Sequence, residues 1–237
     1  MSQIYMEERI YIINEPINFI NEMYISEGMS LQEWEGLLAQ GWRHNGKMVF
    51  RSSHDIDEED GLCRILPLRN VLKDLDFSKS QRKIFKKNQD LRHEIRPLRI
   101  DDAKHDMFYK HIARFKHRVP LSIWDFVAIE KNKPFKTWEL CVYKENKLIA
   151  CSFIDITRNS LSSTYAMFDI DEGHRSLGIY TMILEMMFGQ EKNKTYYYPG
   201  YAYETPSFFD YKKKFSNTEF FDWDTKTWLS FELLGKV

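Results

Sequence analysis

Along this chain the spacing of apolar residues switches from helical to alternating at about residue 130. Before the switch, MSLQEWEGLLAQGW predicts a helix from Ser30. Ser30 can cap it, Glu33 completes an S-x-x-E capping box, and Gly41 stops it. KMVFRS (47–52) reads as a short strand and SHDIDEEDGL (53–62) as an acidic loop. SKSQRKIFKKNQDLRHEI (78–95) suits a helix capped by Ser78 or Ser80 and closed before Pro97. Its Ile84, Asn88 and Leu91 fall on one face. A helix over 102–118 is capped by Asp101 or Asp102, with acidic residues early and basic ones late, as the macrodipole favours. A third, short helix is predicted over 122–130.

After the switch, TWELCVYKENKLIACSFIDIT predicts two strands joined at Glu145-Asn146, and LSSTYAMFDI (161–170) a third. A helix follows from about Arg175 to Glu191, then a strand at 194–199 and a short helix at 207–215. Strands near 218–223 and 226–233 close the chain. This order predicts an α+β or α/β fold with a mixed sheet. An irregular unit, 1–75, precedes the larger unit, 76–237, and no linker-like composition separates them.

The 237 residues allow one large domain or two small ones, and 43% hydrophobic residues suffice for a full core. No run of about 18 apolar residues occurs, so no spanning helix is predicted. The start, MSQIYMEERIYIINEP, is acidic and is not expected to be a leader. Three cysteines make no disulfide framework, and a reducing cytoplasm is the expected address. The net charge of −1 hides an asymmetry. Residues 1–62 hold twelve Asp/Glu against four Lys/Arg, whereas 78–99 hold eight Lys/Arg against Asp90 and Glu94. A solvated helix would pair its charges along one face; here nearly all share one sign, which points to an anionic partner.

His174-Arg175-Ser176-Leu177-Gly178-Ile179-Tyr180 lies between a predicted strand and helix, where backbone N–H groups can hold phosphate. It resembles the Arg-x-x-Gly-x-Gly/Ala loop with which GNAT acyltransferases grip CoA. Tyr180 replaces the third small residue and is expected to crowd a pyrophosphate, so the loop suggests GNAT-like topology without CoA. No HExxH, CxxC or Gly-x-Ser-x-Gly occurs. His111 and His117 are six apart, which is not a metal pair, and Cys141 and Cys151 read as core.

Several segments in order resemble the aminoacyl-tRNA–protein transferases, eukaryotic arginyltransferase and its bacterial leucyl-transferring relatives. They are Gly41-Trp42-Arg43-x-x-Gly46, Pro67-Leu68-Arg69, Phe77-Ser78-x-Ser80-Gln81-Arg82 with Asn88-x-Asp90-Leu91, and Tyr109 to His117. Then come Thr164-Tyr165-x-x-Phe168-Asp169, Arg175-Ser176-Leu177-Gly178-x-Tyr180, and Tyr198-x-Gly200-Tyr201 followed by Tyr211-Lys212-x-x-Phe215. The resemblance implies an α+β protein with a GNAT-like mixed sheet flanked by helices and a small N-terminal domain. It implies transfer of arginine or leucine from aminoacyl-tRNA to the α-amine of proteins beginning with Asp or Glu, which marks them for degradation. The chain departs from the family at its cysteines: Glu22 occupies the first position, and only Cys63 remains of the second stretch. One thiolate cannot hold zinc or an iron–sulfur cluster, so no metal and no cofactor are expected.

Such a transfer requires a tRNA surface, a base or relay, an oxyanion donor and a reader for the acceptor. The tRNA candidates are Lys79, Arg82, Lys83, Lys86 and Lys87, with Arg175 and the Gly178 backbone at the terminal phosphates. Tyr198 and Tyr201 are candidates to stack the terminal adenine. Asp169 is the candidate base or relay, with Tyr165 orienting it or donating to the oxyanion. Ser78, Gln81 and Asn88 match the family signature and are assigned to the acceptor site, and an acidic acceptor needs a cation, Arg82 or Lys212. The expected partners are aminoacyl-tRNA and a protein or peptide with an acidic N-terminus, without membrane or DNA. Three alternatives stay open: a GNAT N-acetyltransferase using acetyl-CoA, a non-catalytic tRNA-binding module, and a transferase with a dedicated peptide acceptor.

Overall fold

The computed structural model describes residues 19–57, 61–116, 119–127 and 137–231. Ser30 and Glu33 exchange side-chain-to-backbone hydrogen bonds, so the first helix, α1 (Leu31–Leu38), starts where its capping box places it. Gly41, at φ +81°, then turns the chain toward a three-stranded antiparallel sheet. Its strands are β1 (Asn21–Ile25), β2 (Arg43–Asn45) and β3 (Met48–Ser52), in the order β1-β3-β2. Trp34, Leu38, Trp42 and Val49 form one buried cluster with Tyr198 of the next layer.

That layer is a nine-stranded sheet. Its members are β4 (His54–Asp57), β5 (Gly61–Val71), β6 (Arg92–Pro97), β7 (Thr137–Lys144), β8 (Lys147–Ile156), β9 (Ser160–Phe168), β10 (Tyr196–Tyr203), β11 (Thr218–Asp222) and β12 (Thr227–Ser230). The order is β12-β11-β5-β10-β9-β8-β7-β6, with β4 paired to β5. Among the described residues β9 and β10 alone run parallel. The helices α2 (Lys79–Lys87), α3 (Asp102–Ile112) and α4 (Leu177–Glu191) flank it.

Strand alternation allots the two faces. Cys141, Cys151, Phe153 and Met167 pack with Met107 and Phe108 of α3, whereas Leu140, Val142, Ile149 and Ala150 pack with Leu177, Tyr180 and Leu184 of α4. A buried contact of 2.5 Å between His44 Nε2 and Asp155 Oδ2 ties the small sheet to β8. The fold is α+β, a large mixed sheet flanked by helices.

Several elements differ from the sequence reading. The helix expected over 78–95 ends at Lys87 with Asn88 as its C-cap, and Arg92–Pro97 is strand β6. Pairing with β7, from Arg92↔Tyr143 to Pro97↔Trp138, gives that backbone a ladder that outweighs local helix preference. The acidic loop contains β4, hydrogen-bonded to the start of β5, with 58–60 outside the described residues. The helix over 102–118 stops at Ile112, and His117 lies outside the described residues. The helix at 122–130 is a 3-10 turn, Ile123–Asp125, with 128–130 undescribed, and that at 207–215 is a 3-10 helix, Phe208–Lys214. Strand β12 ends at Ser230, and 232–233 are undescribed. The division at residue 75 crosses chain that the large sheet unites: β5 precedes it yet lies between β10 and β11.

Candidate active site

Strands β9 and β10 pair only over Ser160–Ser162 and Tyr196–Tyr198. The register of β10 on β5 shifts between Tyr197 and Gly200, and Gly200 sits at φ +98°, a conformation that favours glycine. Beyond this irregularity the parallel strands part.

From α4, Glu185 reaches the sheet where the strands are still paired. It is 1% exposed and accepts from Tyr197 Oη at 2.5 Å, and also from the hydroxyls of Ser152 and Ser163. Burial pushes its carboxyl up to about 7, against the pull of those three hydroxyls. The sequence reading overlooked Glu185. The available signal was a lone carboxylate amid the apolar run Met182–Met187.

On the other face Tyr165 stacks on Phe126 with centroids 3.8 Å apart, and its buried hydroxyl has no hydrogen-bond partner among the described residues. Burial raises its pKa, opposed by Arg114. The neighbouring His111 is pushed down to about 4 by burial and Arg114, so it stays neutral. Asp169 caps the Asp171 N–H at 3.1 Å and pairs with Lys147 at 2.6 Å. Burial works to raise its pKa, but Lys147 and that N–H hold it below the ordinary value. Tyr165 and Asp169 are therefore not joined by a hydrogen bond.

The basic helix is exposed over Lys79, Arg82, Lys83, Lys86 and Lys87. Arg82 pairs with Asp76 at 3.2 Å and Lys87 donates to the His174 carbonyl, which links α2 to the loop before α4. In that loop Arg175 is already engaged: it grips Asp90 with two bonds of 3.0 Å and Glu172 with one of 2.8 Å. Gly178 lies in the first turn of α4, whose N-cap Ser176 makes no side-chain cap bond. Tyr180 is buried, with its hydroxyl 3.4 Å from the Asn88 carbonyl. Ser78 and Gln81 form the capping box of α2, and Asn88 Nδ2 holds the Ile84 and Arg175 carbonyls at 3.0 Å each.

Tyr198 is a core residue, 1% exposed, under the Arg43 guanidinium and beside Trp228. Tyr201 lines a cavity of about 160 Å³ with Arg43, Arg51, His54, Asp55 and Pro67. Lys212 sits 4.8 Å from the Phe209 ring and donates to the Tyr201 carbonyl at 3.3 Å. Elsewhere Glu139, Cys141 and Cys151 approach within 4.8 Å, a potential metal-ligand group, but Glu139 already pairs with Arg96 at 2.6 Å and Lys104 at 3.3 Å.

The family described as "Arginine-tRNA-protein transferase, C terminus" matches residues 80–222. The chain belongs to that family: it is an aminoacyl-tRNA–protein transferase, with aminoacyl-tRNA as donor and a protein as acceptor. It is 28% identical over 206 residues to an aspartate/glutamate leucyltransferase of Acinetobacter baylyi, covering 85% of this chain and 70% of that one. To one of Helicobacter hepaticus it is 23% identical over 225 residues, covering 92% and 90%. Among solved structures, the C-terminal domain of a putative lysylphosphatidylglycerol synthetase from Agrobacterium fabrum aligns at TM-score 0.48 and 15% identity, over 60% of this chain and 47% of that one. No described helix is long and apolar enough to cross a membrane.

Proposed function

We propose that this protein transfers leucine or arginine from aminoacyl-tRNA to the α-amine of proteins beginning with Asp or Glu, in the cytoplasm, and so tags them for degradation. The observation that carries the reading is the family match over 80–222, which spans the parting strands and both helices beside them. The donor and the acidic acceptor follow the names of the leucyltransferases it resembles.

In this reading the tRNA lies along α2, where Lys79, Lys83 and Lys86 are exposed cations. Arg82, Lys87 and the Gly178 backbone complete that surface. Tyr198 and Tyr201 face the small sheet and lie apart from it, and Arg175 braces the loop beside it. The acceptor's ammonium must lose a proton before it attacks the ester. Ser163 and Tyr197 relay that proton to Glu185, whose pKa of about 7 suits a base at neutral pH. Tyr165 lies on the other face of β9, stacked on Phe126, and in this reading supports that strand rather than donating at the Glu185 centre. Asp169 is a positioning residue: with Lys147 it fixes the turn between β9 and α4. Ser78, Gln81 and Asn88 hold α2 in register with that turn. Residues 1–75 and 76–237 build the site together, since β5 of the first part lies inside the sheet of the second.

The test mixes the protein with tRNA carrying radiolabelled Leu or Arg and peptides beginning with Asp, Glu, Lys or Ala. Label on the Asp and Glu peptides alone is expected, and the labelled amino acid names the donor. Label on none of the peptides would overturn the reading.

A further inference from the structure

We propose that Phe208 is the platform on which the last, unpaired base of the donor tRNA stacks, an inference that rests on the transferase reading above. At 74% exposure Phe208 is the most exposed aromatic side chain among the described residues. Its ring is nonetheless held in place. It stacks on Phe209 with centroids 3.9 Å apart, and Phe209 packs on Tyr201 at 5.2 Å and on Tyr203 at 5.6 Å. Phe209 also rests against the buried cluster of Leu66, Leu68, Ala202 and Phe220. Ser207 caps the 3-10 helix Phe208–Lys214 by accepting from the Phe209 N–H at 3.3 Å, and Asp210 pairs with Lys213 at 2.9 Å. These contacts fix the helix and leave the outer face of Phe208 open. A preset aromatic face of this kind suits the flat face of a nucleobase.

Single exposed apolar side chains are common on protein surfaces. Phe208 differs in what shares its helix face. A 3-10 helix has three residues per turn, so Phe208, Tyr211 and Lys214 stand in line. Tyr211, about 6 Å along, packs against the cluster that contains Tyr197, the tyrosine bonded to Glu185. Lys214, about 12 Å along, is exposed and pairs with no carboxylate among the described residues. Its carbonyl accepts from Gln81 Nε2 at 3.2 Å, which joins the helix to α2 and so to the exposed Lys79, Lys83 and Lys86. One short helix therefore links the cationic surface, the proton-accepting centre and the open ring. A base on Phe208 brings the ester on its own ribose to Tyr211, and the preceding phosphates run past Lys214 toward α2.

The chemistry selects a nucleotide. Residues 207–214 hold three lysines against one aspartate. An apolar peptide would use the ring and leave the cations idle, whereas a single-stranded nucleic acid uses both. The tyrosines considered from the sequence are less open. Tyr198 is 1% exposed, and Tyr201 carries Phe209 on its ring, so Phe208 is the open end of that aromatic group.

The experiment uses the full chain, an intact tRNA and the same tRNA trimmed of its last nucleotide. Binding is measured by fluorescence anisotropy, and transfer with tRNA carrying radiolabelled Leu or Arg, for wild type, Phe208→Ala and Phe208→Trp. Wild type is expected to bind the intact form more tightly. Phe208→Ala should lose roughly tenfold in affinity for the intact form, the worth of one stacked base, and nothing for the trimmed form. Its KM for charged tRNA should rise with the salt slope unchanged, because no ion pair is lost. Phe208→Trp should retain wild-type affinity. Equal losses on both forms, or no loss on either, overturn the platform and leave the transferase reading intact. Weaker binding of an acidic peptide by Phe208→Ala, with tRNA binding unchanged, would assign the ring to the protein acceptor and also overturn it. Phe208-dependent binding of the last nucleotide without transfer to any peptide would support the platform and sink the transferase reading instead.

Discussion

Glu185 shows how a single side chain couples the core to pH. Its ordinary pKa is 4.5 and burial lifts it to about 7. Between those values the folded protein keeps a proton that the unfolded chain has released. Stability therefore falls as pH rises through this window and levels off above it, by on the order of 3 kcal/mol. Urea denaturation at pH 4.5 and pH 7.5 should show that fall, and Glu185→Gln should flatten it. In the same variant transfer should drop by about 10²-fold, the usual worth of one acid–base group. An unchanged rate with a flattened stability profile would confine Glu185 to packing. Gly200 carries a second prediction. At φ +98° a side chain is strained, so Gly200→Ala should lose about 1–2 kcal/mol, read as a lower urea midpoint.

At the scale of elements, α2 combines two separable jobs. Its capping box fixes its start, so Ser78→Ala should lower stability by about 1 kcal/mol in thermal unfolding. Its solvent face carries Lys83 and Lys86 with no carboxylate partner among the described residues. Replacing both with Ala should weaken tRNA binding and reduce the slope of log K against log salt by about 1–2. An unaltered slope would move the tRNA off this helix. Asp90 and Glu172 hold Arg175 between α2 and α4, so the loop before α4 is braced by ion pairs. Arg175, which looked like a phosphate ligand in the sequence, serves as this brace, because only the folded chain brings Asp90 beside it.

The whole molecule is held together by β5. It comes from the first 75 residues but fills the gap between β10 and β11. A chain reduced to residues 76–237 would leave both strands without their shared neighbour and expose Leu66- and Leu68-facing surface on Ala202 and Phe220. Such a truncation should fail to fold cooperatively, as seen in circular dichroism and urea titration. A soluble, cooperative product would show that the two units are independent. The seam between the sheets also carries the His44–Asp155 contact and Arg43, so the parting strands and the small sheet are expected to unfold together.

What the sequence determined by itself was whatever is encoded within a few residues. The α1 capping box, the turn at Glu145-Asn146, the β9–loop–α4 succession and the ordered family segments all depend on local chemistry, and all are present in the chain as read. What needed the tertiary structure was every feature that depends on a distant partner. Arg92–Pro97 became a strand because β7 offered it a ladder, and β5 became central because β10 and β11 lacked a neighbour between them. Arg43 and Lys212 stand 169 positions apart and meet only because both bind the bend at Gly200 and Tyr201. Hydrogen bonds, burial and charge act over a few ångströms of space, and sequence distance carries no record of which residues will share that space.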